Sequence, residues 1–264
     1  MRRVSQEFRP QTVAAIDAVW QALTLAAGQA GRAAVRPKAG RDIVTSADIA
    51  VEDLLRELIG AATALPVVGE ERGGTVPPGR SPYWLIDPIC GTTNFAAGTP
   101  LYSVNVALAE DGQITAAIVG DPSAGQVLVA EAGRGCWALS STGARRRLRT
   151  SRASRAVAAE AARSAGRRRA QAAAFIADLI RADDWDFRSL ASSLSLGYLA
   201  AGKLAAWVIF GTDGPEHCAA GSLLVAEAGG IVTDLAGAPW SVAAGSCLAA
   251  ADDGLHAELR ALLS

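Results

Sequence analysis

The stretch "WLIDPICGTTNF", residues 84–95, decides how the rest of the chain is read. An apolar run ends in an Asp-Pro turn and passes into a Gly-Thr-Thr-Asn segment that reads as a helix start. Asp87, Cys90, Thr92 and Thr93 therefore crowd a carboxylate, a thiol and two hydroxyls around one expected helix N-terminus. Backbone amides at such a terminus attract anions. The cysteine in the middle is the feature that needs explaining.

Upstream, residues 11–30 place Val13, Ile16, Val19, Trp20 and Leu23 at helical spacing. A second helix is predicted over 46–58, with Ser46 as N-cap and Ile49, Leu54, Leu55 and Leu58 facing inward. Downstream, strand-like runs at 83–88, 102–110, 114–122 and 126–133 are separated by turns such as Asp111-Gly112, which predicts an antiparallel meander. The arginine-rich stretch 141–156 could bind phosphate, but a solvated linker or exposed face is the expected reading. Beyond it, helical and strand signals alternate over 159–180 and 192–209, then a helix at 219–230 and a strand at 231–235. The predicted organisation is an α+β half over residues 1–145 with an antiparallel sheet, and an α/β half over 146–264.

Composition bounds the class. The 264 residues are 50% hydrophobic and 19% charged, which suits a globular chain able to bury a sizeable core. A net charge of −1 gives no global field for nucleic acid or acidic membranes, so neither is expected as a partner. No apolar run reaches the roughly 18 residues of a membrane helix. Residues 1–10 carry arginines without an apolar segment behind them, so no signal peptide is expected. Cys90, Cys136, Cys218 and Cys247 show no CxxC spacing, in keeping with a reducing cytoplasm and without a structural zinc knuckle. The Ala-, Arg- and Gly-rich composition hints at a GC-rich genome and a role in specialised metabolism.

Four segments, in order, carry a family resemblance: "DIVTSAD" (42–48), "GEE" (69–71), "WLIDPICGTTNF" (84–95) and "EHCAAGSLLVAEAGG" (216–230). Together they resemble the inositol monophosphatase superfamily of magnesium-dependent sugar and nucleotide phosphatases. The resemblance implies a layered αβαβα sandwich, a small-molecule substrate and a homodimer. It also implies a first magnesium site from Glu70, Asp87, the Ile89 carbonyl and the Thr92 hydroxyl, with Asp48 serving a weaker additional ion. Gly91 and Thr92 amides would hold phosphate. A second ion should share Asp87 and take carboxylates at positions 90 and 217, where this chain has Cys90 and His217. Glu216 replaces a tryptophan of the pattern, and the acid expected near Ile209 or Phe210 is missing.

Singly, a cysteine or histidine is more often a packing residue than a chemical one. Cys136 and Cys247 are read that way, and His256, in an expected C-terminal helix, is read as a surface or core residue. As a pair beside Asp87, Cys90 and His217 allow three readings. In the leading one they form a thiol site that has replaced ordinary two-magnesium phosphatase activity. Cys90 is the nucleophile with a lowered pKa, His217 the base and Asp87 its orienter, while Gly91, Thr92 and Phe210 bind the oxyanion or substrate. That predicts acyl-transfer, thioester or amide chemistry on a small-molecule or carrier-bound substrate. In the second reading, Asp87, Cys90 and His217 hold a softer ion such as zinc, and the protein remains a metal-dependent phosphatase for a small phosphate ester. In the third, the fold is a non-catalytic binding protein.

Overall fold

The computed structural model describes residues 7–38, 42–160, 167–212 and 214–263. Most of the stretch examined for a signal peptide lies outside them, as does the 161–166 part of the expected helical segment.

Helix α1 (Pro10–Ala27) and helix α2 (Ser46–Thr63) flank a small hairpin of β1 (Val35–Pro37) and β2 (Ile43–Thr45). The N-cap of α2 is Thr45 rather than the expected Ser46. Its side chain accepts the Ala47 and Asp48 amides, while Asp48 Oδ2 accepts the Thr45 N–H at 2.8 Å and its hydroxyl at 2.5 Å. This reciprocal capping box satisfies amides that the first helical turn would leave unpaired.

The meander is present. β3 (Val67–Gly69), β4 (Tyr83–Cys90), β5 (Ser103–Glu110), β6 (Gln113–Asp121), β7 (Gln126–Glu131), β8 (Gly135–Ser140) and β9 (Arg145–Leu148) form one seven-stranded sheet in chain order. All pairs are antiparallel except β3 with β4. The arginines 145–147 lie exposed on edge strand β9, which straddles the expected boundary at 145/146. Charge on an edge strand discourages pairing with other chains. Helix α3 (Thr92–Ala96) is a single short turn between β4 and β5.

The second sheet is built from β10 (Ala156–Glu160), β11 (Asp186–Arg188), β12 (Ala206–Ile209), β13 (Ile231–Thr233) and β14 (Cys247–Ala250), in the order β11-β10-β12-β14-β13. Helices α4 (Arg167–Ala182) and α7 (Asp253–Ala261) pack on this sheet, while α5 (Leu194–Ala200) and α6 (Glu216–Glu227) lie between the two sheets. With α1 and α2 covering the other face of the first sheet, the layers are αβαβα, as expected.

Both faces of β4 are covered, and alternation sorts its residues. Trp84 and Ile86 join the core under α1 and α2, whereas Tyr83 and Leu85 join the core shared with the second sheet. That shared core includes Phe175, Trp207, Phe210 and Leu224, so the two halves are not separately packed.

Candidate functional site

Alternation places Asp87 on the Leu85 side of β4, toward α6. Cys90, three residues on, would point the opposite way in a regular strand. It does not, because the register against β5 shifts: Asp87 pairs with Asn105 and Cys90 with Ser103. β4 thus carries one residue more than β5 over this interval, and the bulge returns Cys90 to the Asp87 face. His217, in the first turn of α6, comes down on both. Its Nδ1 lies 2.8 Å from Asp87 Oδ2, and one ligand atom each from Asp87, Cys90 and His217 falls within 4.8 Å of the others.

Gly91 follows with φ of 101°, a left-handed conformation that most side chains resist. A Cβ there would sit 2.9 Å from the Leu101 carbonyl oxygen and 3.1 Å from Ser192 Cβ. Glycine is therefore required for the turn into α3. The Thr92 hydroxyl lies 3.2 Å from both the Ile89 carbonyl oxygen and Asp48 Oδ1. The capping box of α2 is thereby tied to the site.

Oxygen donors dominate this side. Asp87 is fully buried, and its Oδ1 has no hydrogen-bond partner. Burial, then the charge of Asp87, pushes the Glu70 carboxyl up to about 8, against the pull of His217 and Lys38. Lys38 Nζ lies 3.3 Å from Glu70 Oε1 and also pairs with Glu71. Burial, helped by the Asp87 charge, leaves the Asp48 pKa raised against the pull of its hydrogen bonds with Thr45 and Thr92. An orphaned carboxylate oxygen beside carboxyls pushed toward neutrality is what a divalent cation would relieve, and hard oxygen donors suit magnesium. The residues present fit such an ion.

The sulfur–nitrogen side behaves differently. Burial and then the Asp87 charge push the Cys90 thiol up to about 12, although His217 and the Ser193 amide pull it down. Burial works to lower the His217 pKa, but the charge and hydrogen bond of Asp87, helped by Cys90, raise it well above the ordinary imidazole range. Near neutral pH the pair is a thiol beside an imidazolium. Cys90 also fastens the neighbouring loop: its carbonyl accepts the Ser192 hydroxyl at 2.8 Å, and its Sγ accepts the Ser193 N–H at 3.3 Å.

These groups open into a cavity of about 450 Å³. Its lining includes Glu70, Ile89, Cys90, Gly91, Thr92 and His217, so the structure brings most of the expected residues together. Asp87 and Asp48 are buried behind that lining, joined to it through His217 and Thr92, and Phe210 does not reach it. Phe210 is fully buried against Phe175, ring centroids 5.4 Å apart, and Ile209 faces the cavity instead. Alternation along β12 separates the two. The sequence reading also passed over Glu160, Ser192, Ser193 and Lys38. Glu160 is register-paired with Ile209, so an acid absent at 209 and 210 is supplied by the adjacent strand. No local signal in the sequence announces that pairing.

The profile of the inositol monophosphatase family matches residues 7–264. The chain is 35% identical over 247 residues to the inositol-1-monophosphatase ImpA of Mycolicibacterium smegmatis, covering 88% of this chain and 84% of that protein. It is 34% identical over 226 residues to the Nus factor SuhB of Pseudomonas aeruginosa, covering 77% and 76% respectively. Among solved structures, an IMPase of Thermotoga maritima matches with a TM-score of 0.80 at 26% identity, covering 100% of this chain and 97% of that one. The suhB protein of Bartonella henselae matches in fold, with a TM-score of 0.86 at 23% identity over 97% and 99% of the two chains.

These relatives overturn the expectation of a cysteine-dependent acyl-transfer, thioester or amide enzyme that has abandoned phosphatase chemistry. Extended similarity to proteins named as inositol-1-monophosphatases points to a phosphatase. The geometry supplies the physical reason. Cys90 closes a buried strand rather than opening a long helix, α3 spans only five residues, and the adjacent Asp87 charge opposes a thiolate. A lowered thiol pKa was the premise of the Cys–His dyad, and the shift runs the other way. Nothing among these relatives points to specialised metabolism. Among the described residues, no helix is long and apolar enough to cross a membrane.

Proposed function

We propose, from the premise that this chain belongs to the inositol monophosphatase family, that it is a divalent-cation-dependent phosphatase acting on a small phosphate monoester. The observation that carries the reading is Asp87: buried, with one oxygen held by His217 and the other without a partner, beside Glu70 and the Thr92 turn. Glu70, Asp87, the Ile89 carbonyl and the Thr92 hydroxyl would hold the cation, with Asp48 behind Thr92. When bound, such an ion offsets phosphoryl charge and acidifies attacking water.

The chain's own groups do the rest. Gly91 and Thr92 amides would orient the phosphate. His217 holds a proton at Nδ1 against Asp87 and brings positive charge to the cavity wall. That charge stands where the family resemblance places a second ion. Cys90 stays a thiol that anchors the 192–193 loop to the floor of the site. Asp87, Cys90 and His217 also form an oxygen–sulfur–nitrogen donor set suited to zinc, although both Cys90 and His217 must first lose a proton.

The test is release of inorganic phosphate by purified protein from myo-inositol 1-phosphate and a panel of small phosphate monoesters, with magnesium or zinc. Turnover that depends on the cation and stops on chelation is expected. No turnover of any ester with either cation would overturn the reading.

A further inference from the structure

One carboxyl in the cleft is unused by this chemistry. Glu160 ends β10, half-buried in the cavity wall contributed by the second sheet. Its Oε1 accepts the Ser192 amide and the Trp207 indole N–H, each at 3.1 Å. Among the described residues, both hydrogen bonds of its side chain fall on Oε1. Carboxylate oxygens offer several acceptor positions, so Oε2 keeps capacity for a ligand. Four apolar side chains, Trp207, Ile209, Ile176 and Phe187, line the cavity with Glu160, interrupted by the hydroxyls of Ser189 and Thr212. Burial works to raise the Glu160 pKa, opposed by Trp207, Ser192 and His217, and a donor from a ligand would favour the charged form.

We propose that Glu160 is a specificity-determining residue whose Oε2 accepts a hydrogen bond from a hydroxyl or protonated amine on the organic part of the substrate, the rest of which is apolar. The proposal rests on the phosphatase reading for the phosphate end of that substrate. The oxygen-rich site at Asp87 would take the phosphate, and the second half of the chain adds four apolar side chains, two hydroxyls and the Glu160 acceptor to the cavity. A polyol would set hydroxyls against the carbon of Trp207, Ile209, Ile176 and Phe187, and each one left unpaired there is costly in a confined site. A largely apolar ester with a single donor matches it. The Oε1 bonds explain how the carboxyl ties β10 to the 192 loop, but they leave Oε2 unexplained.

The test is calorimetric binding, in magnesium buffer, of cyclohexylmethylphosphonate, a ring-hydroxylated analogue and a ring-aminated analogue. These are not hydrolysed, so binding is read without turnover. The wild-type chain should bind at least one substituted analogue about tenfold or more tightly than the parent, the size expected of a hydrogen bond to a charged group. Glu160→Leu should erase that preference while holding parent affinity within about threefold. Glu160→Gln keeps an oxygen for Trp207 and Ser192, so it folds as a control for the anchoring role. It should lose a preference for the amine and weaken one for the hydroxyl. Equal binding of all three ligands by the wild type, no binding of any, or a preference that survives in both variants would overturn the proposal. Turnover of the corresponding phosphate esters is measured separately: its absence would count against the phosphatase reading and leave the calorimetric preference to decide Glu160.

Discussion

The two walls of the cleft come from different sheets and carry different chemistry. At the end of the seven-stranded sheet, Glu70, Asp87, Thr92 and, behind them, Asp48 gather oxygen atoms, and burial with the Asp87 charge raises the pKa of Glu70 and of Asp48. At the end of the five-stranded sheet, Trp207 and Ile209 are apolar, and Glu160 is the acid that its strands add to the cavity among the described residues. Cys90 and His217 stand at the seam. The difference teaches that two tasks are separated in space. Charge is concentrated where a phosphoryl group and cation would be held, while under the Glu160 proposal the other wall would discriminate what the phosphate is attached to. Only the first task requires carboxylates at close quarters, and among the described residues that wall holds the buried carboxylate with one oxygen left without a partner.

The comparison breaks most visibly at Asp87. Asp87→Asn removes the charge shared by the cation site and His217, and phosphate-ester turnover should fall on the order of 1,000-fold, since a catalytic cation supplies several kcal/mol at about 1.36 kcal/mol per tenfold. Steady-state kinetics at saturating magnesium measures this, and a loss under tenfold would mean that the oxygen-rich wall is not where the chemistry occurs.

A pH series sharpens the same contrast. Glu70 titrates at about 8, so below that pH its proton must leave before a cation binds. Magnesium affinity should rise by up to about tenfold per pH unit from pH 6 toward 8 and then level off, as followed by calorimetry. A flat profile across that window would remove Glu70 from the ligand set.

At the seam, the double variant Cys90→Asp/His217→Asp replaces sulfur and nitrogen with hard oxygen. Magnesium should then bind on the order of tenfold more tightly and zinc should lose ground, because donor softness governs the preference. Competition between the two ions reads the ratio directly, and an unchanged ratio would place the seam outside the cation site.

The smallest effect belongs to the support beneath the oxygen-rich wall. Thr45→Ala opens the capping box of α2 and should cost about 1 kcal/mol in denaturant unfolding. It should also loosen Asp48, which that box holds against Thr92. A variant with unaltered stability would show that the cap contributes little to holding the site.

Sequence by itself determined the α1 and α2 periodicities, the meander, the layered fold and the family, because each rests on local alternation or on motifs that stay contiguous in the chain. It also picked out Asp87, Cys90 and His217 as neighbours, through the family resemblance that those motifs carry. The tertiary structure decided what the neighbours are. One bulge in β4 turns Cys90 onto the Asp87 face, against the parity that a regular strand would dictate. Burial and the Asp87 charge then raise the thiol's pKa where a helix terminus alone would lower it. Alternation in β12 sends Phe210 into the core and Ile209 into the cavity. The pairing of β10 with β12 sets Glu160 beside Ile209 from 49 positions earlier in the chain. Register, desolvation and contact across long separations are properties of the packed chain, and no stretch of residues read in isolation contains them.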